Sequence, residues 1–310
     1  MKKFKKVLLG LFAVLLAVVA TACSSKKSDS SKGYTPKSLT IQFVPSQAAN
    51  KLEARAKPLE KMLSKRLGIP VHVSMSTDYN TVVEAMKSKK VDVGFLPPDG
   101  YVLAHKEGAA DILLQAERYG VKQPGGKATN KLVKSYRAEI LVKKGSKIKS
   151  WKDLKGKSIS VQNPTSSAGY IFPIAELAKK GLDVPKDCKL VTVTGHDQAV
   201  LNVLNGDTDA AFVFEDARNT VKADQPNIMN KVVPIYFTKP IPNDTISVRP
   251  DMSKSFQKKL AKAFIAIGKS KDGKKLIESI YSHEGYDYAK DSDFNIVREY
   301  DKIAEKGTKK

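Results

Sequence analysis

The feature that most narrows the possible folds of this chain is a repeated alternation of short apolar runs with stretches of helical period. Residues 39–44 (LTIQFV) alternate as a strand does and stop at Pro45-Ser46-Gln47. Over residues 54–67, Leu59, Met62, Leu63 and Leu67 recur at helical spacing, and Gly68 ends the run. A strand follows at 71–75, then a helix over 81–88 opened by Thr77-Asp78-Tyr79-Asn80. A third strand at 91–96 is broken by Pro97-Pro98-Asp99-Gly100, ahead of a helix over 101–106. Parallel neighbours need a crossover long enough for a helix, so this order predicts βαβ units and a mainly parallel sheet. Such sheets take ligands outside the carboxyl ends of their strands. Ser46, Gln47, Tyr79, Asp99 and Tyr101 fall at those ends and are candidate contacts.

The plan restarts after a polar, glycine-rich stretch at 123–131, expected to be a loop or flexible insertion. Strands are expected at 135–142, 159–161, 189–193 and 210–214, with helices over 170–180, stopped by Gly181, and over 199–205, stopped by Gly206. Residues 151–156 read as a short helical turn, and Glu215-Asp216 follow the 210–214 strand. A strand at 241–248 would carry the chain back to its first half, and helices over 253–269, 271–281 and 295–304 complete it.

Between the 159–161 strand and its helix lies Asn163-Pro164-Thr165-Ser166-Ser167-Ala168-Gly169. First-turn N–H groups lack intrahelical acceptors and the macrodipole favours negative charge, so hydroxyls at a helix start suit an anion. A plain capped helix competes with this reading, since Ser and Thr are preferred N-caps. Pro173 cannot donate within a helix, so the helix starts late or kinks, leaving more N–H groups free between Ser167 and Tyr170.

The first residues give an address. Lys2, Lys3, Lys5 and Lys6 precede an apolar run over 7–22 that ends Ala20-Thr21-Ala22-Cys23-Ser24, the pattern of a cleaved export signal, 1–22. Cys23 stands where a bacterial lipoprotein carries its lipid, although Ala20 replaces the usual Leu. Residues 24–33 contain no hydrophobic residue and read as part of a flexible tether, 23–37. Cys188 is then the one thiol left, so no intramolecular disulfide is expected. The net charge of +22 is spread along the chain as lysines, without an arginine-rich block or interleaved aromatics, which argues against nucleic acid. A G-x-S-x-G nucleophile elbow and a metal-spaced Cys/His cluster are both missing, so neither an enzyme nor a metal cofactor is expected.

Taken together, Asp78-Tyr79, Val91-Asp92-Val93-Gly94-Phe95, the 163–169 stretch, Gly195-His196, NGDTDAAFVF at 205–214 with Glu215, and Ile241-Pro242-Asn243-Asp244 resemble the phosphate, phosphite or phosphonate substrate-binding proteins of ABC importers. The resemblance implies a type II periplasmic-binding-protein fold: α/β, two lobes of mainly parallel sheet flanked by helices, and a two-stranded hinge. Lobe 1 would comprise 38–136 plus 246–310, and lobe 2 would comprise 137–245, with ligand between them. It implies that Ser166 and Ser167 grip the anion, with Ala168 where a third hydroxyl is common and Thr165 as a substitute. Tyr79 and His196 would complete the anion contacts, while Glu215 and Asp244 would hold the ammonium of an aminoalkylphosphonate. A second tyrosine usual in such binders would fall near Leu96-Pro97 and is absent. The expected partners are a small phosphonate-like anion, permease and ATPase subunits, and the membrane through a lipid at Cys23, with the monomeric protein on the extracellular face. Phosphate, phosphite, a sulfonate or another small solute, or an adhesin or sensor role on the same fold, remain alternatives.

Overall fold

The computed structural model describes residues 33–308; the expected export signal, Cys23 and the expected tether up to residue 32 lie outside them. Strands β1 (Leu39–Phe43), β2 (Val71–Met75) and β3 (Val93–Leu96) are parallel with β1 central, Leu39 opposite Val71 and Ile41 opposite Val93. Leu39, Ile41 and Phe43 are buried on one face, as alternate residues of a pleated strand must be, and the Phe43 ring stacks on Phe95 at 4.1 Å. The helix expected over 54–67 is two helices, Ala49–Ala56 and Pro58–Leu67. Pro58 lacks an N–H to continue the first helix but is well suited to begin the second. Gly68 ends that helix at φ 72°, a backbone conformation that costs a glycine little.

Beyond the helix Pro98–Lys106, β4 (Asp111–Lys122) and β5 (Lys127–Val133) form an antiparallel hairpin where a loop was expected. Seven residues of β5 show no buried position, so no alternation marks it in the sequence. The chain then leaves through β6 (Ser135–Tyr136) and enters β7 (Ala138–Lys143), β8 (Ser158–Val161), β9 (Lys189–Thr192), β10 (Ala210–Phe214) and β11 (Val232–Phe237). These five make a second sheet in the order β11-β7-β10-β8-β9, parallel between β10, β8 and β9. It returns through β12 (Ile241–Pro242), which pairs antiparallel with β6. β13 (Thr245–Val248) then inserts between β3 and β4, as the expected return strand requires, and β14 (Gly285–Asp287) closes the first sheet as β14-β4-β13-β3-β1-β2.

Residues from Thr35 onward form one unit. The terminal helix Asn295–Thr308, which the expected boundaries gave to lobe 1, docks on Phe172–Lys179 after β8. Tyr300 stacks on Phe172 at 4.3 Å, its hydroxyl donates to Glu176 at 3.2 Å, and Lys179 pairs with Glu299 at 3.0 Å. The same helix also meets Pro98–Lys106, so it bridges elements of both sheets.

Candidate functional site

The carboxyl ends of the strands converge on one cavity of about 60 Å³, room for a few waters or one small tetrahedral ion. Ser46 and Gln47 come from the end of β1, Leu96 and Pro97 from the end of β3, and Phe214 from the end of β10. Helix starts contribute Tyr79 and His196; the segment before β13 contributes Asn243 and Asp244.

Ser166 and Ala168 enter the wall through an unusual helix start. Residues Ser167–Ile171 form a π-helical turn, and the α-helix proper begins at Phe172 with Pro173 in its first turn. The late start anticipated from Pro173 is therefore present. Ile171 N–H reaches back five residues to the Ser166 carbonyl at 3.1 Å. That wider turn leaves the early N–H groups without acceptors inside it. Ser166 Oγ caps one of them, accepting from Gly169 N–H at 3.2 Å.

The electrostatics are set by burial. His196 is buried against the edge of Phe214, ring centroids 4.8 Å apart, and burial lowers its pKa to about 3, so it is neutral at physiological pH. Tyr79, Tyr136 and Tyr281 are held well above the usual phenol range, first by burial and then by nearby charge, including that of Asp244. All three therefore keep their protons; Tyr281 donates its own to the Val44 carbonyl at 2.5 Å. Arg118, on β4, lines the same cavity and binds Asp216 at 2.5 Å. Burial pulls its pKa down, yet the carboxylates of Asp216, Glu215 and Asp244 outweigh that and raise it. Three residues of this wall each carry a buried nitrogen without a hydrogen-bond partner: Arg118 (Nε), Asn243 (Nδ2) and His196 (Nδ1). Among the described residues, no group of His, Cys, Asp and Glu is arranged to hold a metal ion.

Of the residues singled out in the sequence, Ser46, Gln47, Tyr79, Ser166, Ala168, His196 and Asp244 line this cavity. The others do not. Ser167 is fully buried behind the wall, accepting Asp99 N–H at 3.2 Å. Thr165 lies outside this cavity: its Oγ1 meets Asn163 Oδ1 at 2.8 Å and Asn80 Oδ1 at 3.0 Å, and the residue lines a separate groove of about 740 Å³. Asp99 borders that groove too, and burial with the neighbouring Asp301 pushes its carboxyl well above the carboxylate range. Tyr101 faces away and donates to Asp291 at 2.7 Å. Glu215 turns from the cavity, accepting from Gln123 Nε2 and Arg137 N–H, each at 3.1 Å, and burial raises its pKa.

The residues not anticipated are Arg118, Tyr136, Asn243 and Tyr281. Asn243 stood in a quoted motif; the other three carry no local signal and are gathered only by strand order. Tyr136 and Tyr281 supply aromatic hydroxyls where none stands near Leu96-Pro97.

Residues 41–294 match the family described as the periplasmic substrate-binding protein of the phosphonate ABC transporter. The phosphate-import protein PhnD of Mycolicibacterium smegmatis is 32% identical over 213 residues, 66% of this chain and 64% of that protein. The match thus spans somewhat less than two thirds of that relative's length. The phosphonates-binding periplasmic protein of Escherichia coli K12 is 23% identical over 248 residues, 79% of this chain and 70% of that one. Among solved structures, a binding protein component of an ABC phosphonate transporter from Pseudomonas aeruginosa superposes with a TM-score of 0.75 at 19% identity, covering 87% of each chain. PhnD1 of Prochlorococcus marinus, in complex with methylphosphonate, gives 0.74 at 18%, covering 88% of this chain and 100% of that one. Those likenesses establish the α/β fold of the type II periplasmic-binding proteins. With more than half of its length matched, the chain belongs to the periplasmic substrate-binding proteins of phosphonate ABC transporters.

Proposed function

We propose that this protein captures a phosphonate-type oxyanion in the cavity around Ser166 and delivers it to the permease and ATPase of an importer, without chemistry of its own. The observation that carries this reading is the gathering of donor-bearing side chains around one cavity, Arg118, Asn243 and His196, each with a nitrogen that no protein group answers. Buried polar groups without protein partners are rare, and an oxyanion with several acceptor oxygens suits a wall of donors. Tyr79, Tyr136 and Ser166 add hydroxyls, and the early N–H groups of the π turn add backbone donors. Hydrogen bonds to a charged ligand contribute about 1.5–3 kcal/mol each. Four or five, less the ordering cost, correspond to roughly −8 to −12 kcal/mol, micromolar to nanomolar affinity. Asp244, whose Oδ2 lies 3.4 Å from His283 Nε2, is an acceptor among these donors and suits a ligand that also offers a proton, from an ammonium or a P–O–H group. The methylphosphonate held by the Prochlorococcus structure and the phosphate named for the Mycolicibacterium relative are of this class.

The lobes are assigned as 38–136 with 246 onward, and 137–245, the terminal helix straddling both, with bending at the paired segments β6 and β12. The protein is assigned to the outer face of the cell membrane, monomeric and held by a lipid on Cys23; no helix among the described residues is long and apolar enough to cross a membrane. Calorimetric titration with methylphosphonate, phosphite and phosphate, paired with small-angle scattering, tests the reading. The expected result is saturable binding of at least one ion with compaction of the protein; no binding by any of them overturns the reading.

A further inference from the structure

We infer that Arg118 is a built-in cation that occupies the place of a ligand ammonium, so that the site selects compact oxyanions without an amino group. This rests on the reading of the cavity as an oxyanion site. Three observations combine. The carboxylates after β10, which an ammonium would seek, already face protein donors: Asp216 Oδ2 accepts from Arg118 Nη2 at 2.5 Å, its Oδ1 lying buried without a partner, and Glu215 accepts from Gln123 Nε2 and Arg137 N–H at 3.1 Å.

Second, Arg118 and Gln123 both belong to the β4–β5 hairpin, and that arm is fastened to the segment after β10. Arg218 Nη2 donates to the Pro124 carbonyl at 2.6 Å, and Asn219 Nδ2 to the Gly126 carbonyl at 3.0 Å. The guanidinium is thereby a fixed part of the wall rather than a mobile surface group. It is 7% exposed, with Tyr136 under it at 5.9 Å from the ring centroid.

Third, Arg118 lines the cavity while its Nη2 is committed to Asp216. A guanidinium does not lose its proton, so Arg118 brings a positive charge to this wall under all physiological conditions. An oxyanion is attracted to that charge; an ammonium brought to the same wall meets a like charge in a poorly solvated place. The small cavity, about 60 Å³, also leaves little length for a tail. Asp244 is then matched by a P–O–H proton rather than by an amine.

Charge and size are separable by a matched pair of ligands, 2-aminoethylphosphonate and propylphosphonate, which have tails of equal length. Calorimetry or ligand-induced melting shifts on the full chain, with methylphosphonate, phosphite and phosphate alongside, gives the ratios. The expected order places the compact ions first and 2-aminoethylphosphonate about 10-fold or more below propylphosphonate, since like charges brought together at a binding site are strongly disfavoured. In Arg118→Gln the ratio of aminoethyl to propyl affinity should rise by about 10-fold or more, while phosphate and phosphite weaken. Wild-type protein that binds 2-aminoethylphosphonate as tightly as propylphosphonate overturns the inference and leaves the oxyanion site standing. Failure of all five ligands overturns both. The wild-type comparison decides the matter even where Arg118→Gln does not fold.

Discussion

Replacing Ser166 with alanine removes one oxygen that serves two structures. In the folded chain Ser166 Oγ accepts the Gly169 N–H at 3.2 Å, which caps the π turn, and it also interacts with the Tyr79 hydroxyl. Losing a serine cap costs about 0.5–2 kcal/mol. At 3.2 Å the bond is at the long end of the normal range, so about 1 kcal/mol is expected here. In a chain of this size that lowers the melting temperature by about 1–2 °C. Binding loses a hydrogen bond to a charged ligand, about 1.5–3 kcal/mol, equivalent to roughly 10- to 150-fold in Kd. The two effects separate experimentally: thermal denaturation of the ligand-free protein reads the cap, and calorimetric titration with methylphosphonate at fixed ionic strength reads the contact. Tyr79→Phe and the double variant close a cycle, and the losses should be non-additive because the two hydroxyls touch. A Kd within twofold of wild type, with the melting temperature lowered, would show Ser166 to be a cap alone. The anion grip would then have to be placed elsewhere on the wall.

Other perturbations test the surroundings of the site. At Gly169 an added Cβ would lie 2.1 Å from Gln162 Cγ and 2.6 Å from Gln162 Cβ, and Gln162 is fully buried. Gly169→Ala should therefore destabilise the protein by about 1–3 kcal/mol in urea melts, and an unchanged midpoint would contradict this packing. For His196, the native pKa of about 3 lies below the ordinary 6.5, so its contribution is complete above pH 6.5 and is lost as pH falls toward 3. The stability difference between wild type and His196→Gln should shrink by about 1.4 kcal/mol per pH unit between 6.5 and 4; a flat difference refutes the buried neutral ring. Asp99 has the opposite sign, since its raised native pKa makes ionisation above 3.8 a cost that grows with pH. Asp99→Asn should be more stable than wild type at pH 8, with the advantage fading toward pH 4 in denaturant melts. Greater stability of the wild type at pH 8 would contradict that sign.

What could be read along the chain was whatever is decided within a few residues. Period-two runs announced β1, β2 and β8, because alternate burial on a pleated strand imposes that spacing. Gly68 announced a helix end, and Pro173 announced a late helix start with spare N–H groups beside Ser166. Pro58 carried the same kind of information, since its missing N–H begins a second helix within a run of unbroken apolar period. The β4–β5 arm was silent for a physical reason: β5 buries none of its residues, so selection for a hydrophobic face never wrote a pattern there.

Tertiary structure alone decided which side chains meet. Glu215 and Asp244 looked alike in the sequence, both carboxylates that the resemblance set against a ligand ammonium. Glu215 is turned away by Gln123 and Arg137, whereas Asp244 faces the cavity. Arg118 and Tyr281 are separated by long stretches of chain and sit at no motif; the sheet order β14-β4-β13-β3 brings them to one wall. The sequence by itself therefore determined the strand–helix units, their carboxyl-end loops and the hydroxyls at Ser166. The charge of the site, which rests on Arg118 facing the carboxylates after β10, depends on contacts between distant segments and exists only once the two sheets are folded together.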